Sequence, residues 1–178
     1  MRIIGGKYNG KILKVPNGLP VRPTTDFAKE ALFNILQGKF DYENISMLDL
    51  FSGTGHISFE FASRGTNNIV SVDKNFKCCG FIRSVNKDLG FHMNVIKADV
   101  FEFLKGSHDK YDLIFADPPY DLPNIAEIHE LVKKGEMLKE EGLLIIEHGA
   151  KTKLDHLAGF QNTRKYGNVN FSFFRFTV

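Results

Sequence analysis

Cysteine is scarce in this sequence, and the two cysteines that occur are neighbours, Cys78 and Cys79. Adjacent cysteines in a segment with helical spacing form neither a disulfide framework nor a metal site, so we interpret them as partly buried thiols. The six histidines are scattered along the chain without the spacing of metal ligands. We therefore expect no bound metal.

Long hydrophobic runs are also missing. No apolar stretch approaches the roughly 20 residues of a membrane-spanning helix, and the first residues lack the apolar core of a signal peptide. We therefore expect no membrane contact and a cytoplasmic location. With 178 residues, 43% of them hydrophobic, and no internal repeat, the sequence predicts a single domain over residues 1–178 with a substantial core.

Acidic residues are absent from positions 1–25, which contain five basic residues. The whole chain has 23 basic and 21 acidic residues, so the remaining core, residues 26–178, is slightly acidic. Strand-like segments at residues 2–4 and 11–15 predict a small β hairpin. A basic arm on an acidic body indicates contact with a phosphate backbone. The alternative is that its charges only face solvent while its apolar side chains cover the core.

A glycine-rich loop, Ser52-Gly53-Thr54-Gly55, follows a buried-strand pattern at residues 46–51 and precedes a helical pattern. This order places backbone N–H groups at a helix N-terminus, where no side chain keeps a ligand away. The next strand ends in Asp73, at an offset from the loop that suits hydrogen bonds to both hydroxyls of a ribose. A tight structural turn and a helix cap are the competing interpretations of these two features.

Acidic residues recur at the ends of the predicted parallel strands, at Asp73, Asp99 and Asp117. The carboxyl ends of parallel strands form the ligand-binding edge of an open sheet. Asp99 could hydrogen-bond the amino group of an adenine, although capping of the following helix explains it nearly as well. The candidate cofactor-binding residues are Asp49, Phe51, Gly53, Gly55, Asp73, Asp99 and Val100.

The sequence Asp-Pro-Pro-Tyr ends the strand predicted at residues 111–116. Proline locks φ and has no N–H, so the two prolines form a stiff loop whose carbonyls are expected to be free acceptors. An acid, free acceptors and an aromatic ring suit a planar base with an exocyclic amine, although a simple Asp-Pro turn is the alternative. The candidate catalytic residues are Asp117, Pro118, Pro119 and Tyr120.

The chain resembles the class I S-adenosylmethionine-dependent methyltransferases, and within them the RsmD-type 16S rRNA guanine-N2 methyltransferases. The resemblance covers nearly the whole length and rests on residues 1–7, 22–26, 30–34, 48–55, 63–65 and 117–120. The chain departs from the family pattern at Phe27, where a basic residue is usual. It also departs at His56 and Phe59, where small aliphatic residues are usual.

The resemblance implies a Rossmann-like α/β fold whose seven-stranded, mostly parallel sheet has the order 3-2-1-4-5-7-6, with strand 7 antiparallel. It implies S-adenosyl-L-methionine as cofactor and methyl transfer to the 2-amino group of a guanine in 16S rRNA, within a partly assembled small ribosomal subunit. The target nucleotide and the oligomeric state stay open. The candidate RNA-binding residues are Arg2, Lys7, Lys11, Arg22, Thr24 and Thr25.

Three other functions are alternatives to this one. A methyltransferase acting on adenine N6 of nucleic acid would use the same Asp-Pro-Pro-Tyr sequence. An NAD-dependent oxidoreductase would use the glycine loop and Asp73, but residues 117–120 would have no role and the third small position of the nucleotide-binding loop would be Ser58. A non-catalytic RNA-binding assembly factor would have no need of an intact Asp-Pro-Pro-Tyr sequence.

Overall fold

A computed structural model describes residues 1–19 and 25–176. The strands are β1 (Ser46–Leu50), β2 (Asn68–Asp73), β3 (Asn94–Lys97), β4 (Tyr111–Ala116), β5 (Leu138–His148), β6 (Phe160–Tyr166) and β7 (Val169–Phe174). They form one sheet of order β3-β2-β1-β4-β5-β7-β6. Strands β1 to β5 are parallel, and β7 lies antiparallel between β5 and β6. The predicted fold class and strand order are confirmed.

Among the described residues, five α-helices cover the two faces of this sheet: α1 (Asp26–Leu36), α2 (His56–Ser63), α3 (Phe76–Asp88), α4 (Val100–Gly106) and α5 (Ile125–Lys134). Side chains that accept hydrogen bonds from the first free backbone N–H groups begin three of them. Thr25 caps α1, Asn75 caps α3 and Asp99 caps α4. No helix in the described ranges is long and apolar enough to cross a membrane.

The apolar core has two parts, one on each face of the sheet. Helices α1, α2 and α3 pack on one face, where Leu32, Phe59 and Ile82 are buried. Helices α4 and α5 pack on the other face. Because both faces are covered, the central strand β1 is buried at every position, as is typical of parallel sheets.

The edge of the sheet contains an irregularity opposite Phe173 and Phe174. The register between β6 and β7 shifts between Phe160 and Asn162, opposite these two residues. Phe173 belongs to the core on the α1 side and Phe174 to the core on the α5 side. Adjacent residues of a strand point to opposite faces, so β7 buries large rings on both sides of the sheet, while the extra residue of the bulge, Gln161, lies on β6.

The first 15 residues of the N-terminal arm, which was predicted over residues 1–25, pair with each other less extensively than the predicted hairpin. Its antiparallel pairing is a single bridge between Arg2 and Ile12. A short 3-10 helix, Gly6–Tyr8, occupies the connection. The Tyr8 N–H donates to Ser63 Oγ at 2.9 Å, so the turn is held on the end of α2 and does not extend the two strands.

The arm is also tied to the core by a buried charge cluster centred on Glu60. Lys29 Nζ lies 3.0 Å from Glu60 Oε1, and Arg64 pairs with the other carboxylate oxygen. The backbone N–H of Ile4 donates to Glu60 Oε1 at 2.7 Å, and the Lys29 ammonium donates to the Arg2 carbonyl. Since Lys29 and Glu60 are buried, this cluster attaches the arm to α1 and α2.

Candidate active site

A cavity of about 590 Å³ opens at the carboxyl edge of the sheet. Its volume is within the range of small-molecule sites, roughly 300–1,000 Å³. The loops that follow β1, β2, β3 and β4 form its wall, as the positions of the predicted residues require. The predicted residues that line it are Phe51, Gly53, Asp73, Asp99, Val100, Asp117, Pro118, Pro119 and Tyr120.

Asp73 holds the glycine loop in place. The Gly53 N–H donates to Asp73 Oδ2 at 2.8 Å, and the Asn75 N–H donates to Oδ1 at 2.8 Å. Gly53 has a φ of 52°, in the left-handed region that glycine adopts without strain. Each carboxylate oxygen can accept a further hydrogen bond. Asp73 can therefore support the loop and still accept from a ligand hydroxyl.

Two predicted cofactor residues, Asp49 and Gly55, are not part of the cavity wall among the described residues. Gly55 has a φ of 76°, and a Cβ there would lie 2.9 Å from Ile82 Cγ1, so glycine allows α2 to begin against α3. Asp49 is buried beneath the loop, where its carboxylate accepts from Ser58 Oγ at 2.6 Å. Both residues shape the loop from behind and do not line the cavity with the other predicted cofactor residues.

Burial changes the acidity of Asp49. Removal from water raises the pKa of this carboxyl to about 7, although hydrogen bonds from Ser58 oppose the shift and the negative charge of Asp73 adds to it. The Ser58 hydroxyl also lies 2.7 Å from Ser71 Oγ. The small side chain that follows the glycine loop therefore connects α2 to β1 and β2.

Asp99 has the capping role that the sequence left open. Its Oδ1 accepts from the N–H groups of Phe101 and Glu102, at 2.9 and 3.2 Å. Asp99 also lines the cavity. Beside it, the rings of Phe51 and Phe101 meet edge to face, with centroids 6.2 Å apart. These rings and buried Val100 give this end of the cavity an apolar wall with a carboxylate at its rim.

The Asp-Pro-Pro-Tyr loop is fixed to the neighbouring strand, because the Asp117 N–H donates to the Leu50 carbonyl at 3.2 Å. The Pro119 carbonyl accepts from the Leu122 N–H at 2.9 Å, which closes a turn. The prediction of a free carbonyl at Pro119 is therefore wrong. Within residues 1–19 and 25–176, no backbone N–H donates to the Pro118 carbonyl.

Tyr120 is positioned by two residues that the sequence had not marked as functional. Its hydroxyl donates to Glu147 Oε1 at 2.8 Å. Its ring lies against Gly149, where a Cβ would be 2.8 Å from Tyr120 Cδ2. Glu147 is a buried acid near the end of β5, next to β4 in the sheet. An acid ending the apolar run of β5 was the signal in the sequence.

His56 also lines the cavity and was noticed in the sequence only as a departure from the family pattern. Its pKa is lowered to about 3, because removal from water and the nearby positive charge of Lys29 disfavour the imidazolium. The ring is therefore neutral near pH 7. Cys78 lines the same cavity, and burial together with the charge of Asp73 raises its thiol pKa to about 11.

The arm residues predicted to bind RNA have different surroundings. Arg2 pairs with Asp26 at 3.1 Å, while Lys7 and Lys11 are exposed. The Thr25 hydroxyl accepts from the Ala28 N–H as the cap of α1. Arg22 and Thr24 lie outside the described residues.

Ile3 and Leu13 of the arm are buried in the core. This agrees with the apolar part of the alternative interpretation for these two residues, whereas Ile12 is 72% exposed and does not cover the core. The exposed lysines of the arm stay available to a phosphate backbone. In the part of the chain that the structure describes, no three His, Cys, Asp or Glu side chains are arranged to hold a metal ion.

The chain is similar in sequence to a known protein family and to individual proteins. The sequence model of the family described as Conserved hypothetical protein 95 matches residues 1–175. YlbH of Bacillus subtilis is 34% identical over an alignment of 164 residues. This alignment covers 89% of this chain and 88% of that protein. Ribosomal RNA small subunit methyltransferase D of Buchnera aphidicola is 30% identical over 148 residues, covering 83% of this chain and 75% of that protein.

Solved structures share the fold over the same length. Protein TTHA0928 of Thermus thermophilus superimposes with a TM-score of 0.85 and 26% identity, covering 99% of both chains. The T. thermophilus 16S rRNA N2 G1207 methyltransferase, solved with AdoMet and guanosine, gives a TM-score of 0.69 at 21% identity. That likeness covers 88% of this chain and 45% of the other, and it concerns the fold.

Proposed function

The chain belongs to the family described as Conserved hypothetical protein 95, and from this premise we propose that it is an S-adenosylmethionine-dependent methyltransferase acting on the 2-amino group of a guanine in 16S rRNA. One observation carries the proposal. A single cavity brings the glycine loop, with Asp73 behind it, to the loop that contains Asp117, Pro118 and Tyr120. A ribose-binding carboxylate and a set of acceptors for an amine thus face the same space.

The residues of the cavity fit the proposed cofactor. Asp73 offers an acceptor to the ribose hydroxyls, and Gly53 lets the backbone approach the amino-acid portion without a side chain. The apolar wall at Val100 and Phe101 suits an adenine ring, with Asp99 at its edge. When bound, S-adenosylmethionine supplies an electrophilic methyl group on a sulfonium.

The loop at residues 117–120 prepares the amine for that transfer. The lone pair of a nucleobase amine is delocalised into the ring, so the amine is a poor nucleophile. The Asp117 carboxylate and the Pro118 carbonyl accept hydrogen bonds from the two N–H groups of the amine. These hydrogen bonds localise the lone pair on nitrogen and stabilise the positive charge that develops there. Tyr120, held by Glu147, provides a flat surface for the base.

A named relative supports a small-subunit ribosomal RNA substrate, and the chemistry of Asp117 favours guanine over adenine. A relative 30% identical to this chain is named as a methyltransferase of the small-subunit ribosomal RNA. Guanine also presents two adjacent donors, N1–H and the 2-amino group, to the two-oxygen acceptor Asp117. The minor-groove edge that contains this amine is inaccessible to a single-base pocket inside a duplex, so the base must be unpaired or extruded. We infer that a partly assembled small subunit in the cytoplasm presents it.

The decisive experiment incubates the protein with labelled methyl donor and with small subunits that lack the modification. We expect label in N2-methylguanine at one nucleotide. Asp117→Ala should lower kcat by at least about 10²-fold while the cofactor Kd stays within about twofold, because its hydrogen bonds are directed to the amine.

Three outcomes would contradict the proposal. Label in N6-methyladenine would favour the adenine alternative. Tight cofactor binding without label in any RNA would favour an assembly factor. Wild-type turnover in a folded Asp117→Ala protein would rule out the proposed role of this carboxylate.

A further inference from the structure

Phe27, at the start of α1, exposes 66% of its surface to solvent. Its ring meets Tyr166 of β6 edge to face, with centroids 6.0 Å apart and planes at 77°. Tyr166 is itself supported by a ring contact with Phe171 in the core. Single exposed apolar residues are common on protein surfaces. Phe27 differs from them because a second aromatic ring supports it and most of its surface faces solvent.

The position of this pair relates it to the cavity. Strand β7 pairs Phe171 with Glu147 of β5, and β6 pairs Tyr166 with Val169 of β7. Because β6 also pairs Arg164 with Phe171, Arg164 lies level with Glu147, two strands away, or roughly 10 Å at the usual spacing between strands. Tyr166 lies two residues further toward the same edge of the sheet, roughly 12 Å from Glu147. Since Glu147 holds Tyr120, the aromatic pair lies beside the proposed site of the target base.

An exposed cation faces the same side. Arg164 precedes Tyr166 by two residues on β6, so both side chains point to one face of the sheet. Their pairing partners, Phe171 and Val169, pack in the core on the α1 side. On that side Arg2 pairs with Asp26, the residue before Phe27. Lys165, between Arg164 and Tyr166, points to the opposite face.

We propose that Phe27, Tyr166 and Arg164 form a platform for the RNA strand that adjoins the target guanine. Phe27 stacks on a neighbouring base, Tyr166 supports the ring, and Arg164 contacts a phosphate of the same strand. An aromatic ring beside a cation is the combination by which proteins bind single-stranded nucleic acid. This inference rests on the proposed function, and it adds a base contact outside the cavity.

The test compares steady-state methylation of undermethylated small subunits by wild-type protein and variants. Phe27→Ala should raise KM for the subunit on the order of tenfold, the loss expected for one base stacked on an aromatic ring. It should leave kcat and the cofactor Kd unchanged, because Phe27 is outside the cavity wall. Phe27→Tyr keeps an aromatic face and should restore KM, whereas Phe27→Leu should not.

The second part of the experiment tests the cation. It uses Arg164→Ala, with Lys165→Ala as the matched control on the same strand. Removing one cation from a phosphate should reduce the slope of log Kd against log salt by about one. Lys165→Ala should leave this slope unchanged. Phe27→Ala should weaken binding to the subunit but leave the slope of log Kd against log salt unchanged. Cofactor affinity shows that each variant is folded.

Two results would overturn the inference. One is an unchanged KM for Phe27→Ala. The other is a loss seen with assembled subunits but absent when binding to protein-free 16S rRNA is measured, because the platform would then contact a ribosomal protein. If wild-type protein itself methylates no guanine in the subunits, the proposed function fails instead.

Discussion

The Asp73 carboxylate supports the glycine loop, and in the proposed function it also binds the cofactor. It accepts hydrogen bonds from the Gly53 and Asn75 N–H groups and faces the cavity. Asp73→Ala should weaken cofactor binding by about 1.5–3 kcal/mol or more, because a charge-assisted hydrogen bond and the support of the loop are removed together. Titration calorimetry measures this directly.

Asp49→Asn is the control for this substitution. Asp49 lies on β1, next to the strand that ends in Asp73, yet it is buried beneath the loop and outside the cavity wall. Its replacement by the isosteric amide should leave the cofactor Kd within about twofold. Unchanged affinity in a folded Asp73→Ala protein would remove Asp73 from the binding site.

Asp49 should also make stability depend on pH. Its pKa is raised from 3.8 to about 7 in the folded protein, so between these values the folded state binds a proton that the unfolded state has released. The free energy of unfolding should therefore fall as pH rises through this window, by at most about 1.4 kcal/mol per pH unit, and level off above it. Denaturant unfolding between pH 5 and pH 8 measures the slope.

Asp49→Asn removes the titrating group while keeping an acceptor for Ser58. The difference in unfolding free energy between wild type and this variant should therefore change across the same pH window. Parallel curves for the two proteins would show that Asp49 is ionised in the folded state throughout it.

At the scale of elements, the arm combines a buried side with an exposed basic side. Ile3 and Leu13 belong to the core, so deletion of the arm would test stability together with RNA binding. Reversing the charges of exposed Lys7 and Lys11, as Lys7→Glu with Lys11→Glu, leaves the buried side chains in place. We expect weaker binding to the small subunit and a shallower salt dependence, by about one in the log–log slope for each phosphate that the arm no longer neutralises.

The pair Lys133→Glu with Lys134→Glu is the matched control for the arm. These exposed lysines end α5, which packs on the opposite face of the sheet from the arm. Their reversal should change the salt slope much less. If both double variants bind subunits with the same salt slope as wild type, the arm is not the docking surface.

The charge cluster beneath the arm should matter for stability. Glu60 is fully buried between Lys29 and Arg64 and also accepts from the Ile4 N–H. Glu60→Gln should lower the free energy of unfolding by roughly 3–5 kcal/mol, because two cations lose a buried partner. Denaturant unfolding measures the change.

The exposed pair of Lys105 and Glu102 on α4 provides the comparison. Glu102→Gln should leave the free energy of unfolding nearly unchanged, since solvent screens the pair. Equal effects of the two substitutions would show that the buried cluster does not anchor the arm.

At the scale of the whole molecule, the sheet gathers residues far apart in sequence at one edge. Three different strands supply these residues, since Asp73 ends β2, Asp117 comes directly after β4 and Glu147 lies near the end of β5. Strand β6 brings Tyr166 to the same edge. Helix α1 then places Phe27 against Tyr166. The proposed cofactor site, base site and RNA platform therefore lie along the same edge of the sheet.

The sequence was sufficient wherever a local pattern decides the structure. Apolar runs ended by acids located the parallel strands, glycines located the loop after β1, and the two prolines located the turn after β4. These features depend on backbone dihedrals and on periodicity within a few residues. The family resemblance added the strand order, including the antiparallel seventh strand.

Only the tertiary structure decided which partner each polar group has. Asp49 and Asp73 belong to the neighbouring strands β1 and β2, yet Asp49 is buried and accepts from Ser58, whereas Asp73 lines the cavity. The hairpin was limited to one bridge because Ser63, from another element, binds its turn. Glu147 is part of the site because the Tyr120 hydroxyl donates to its carboxylate. Such choices depend on distances between segments remote in sequence, which packing sets and local periodicity does not contain.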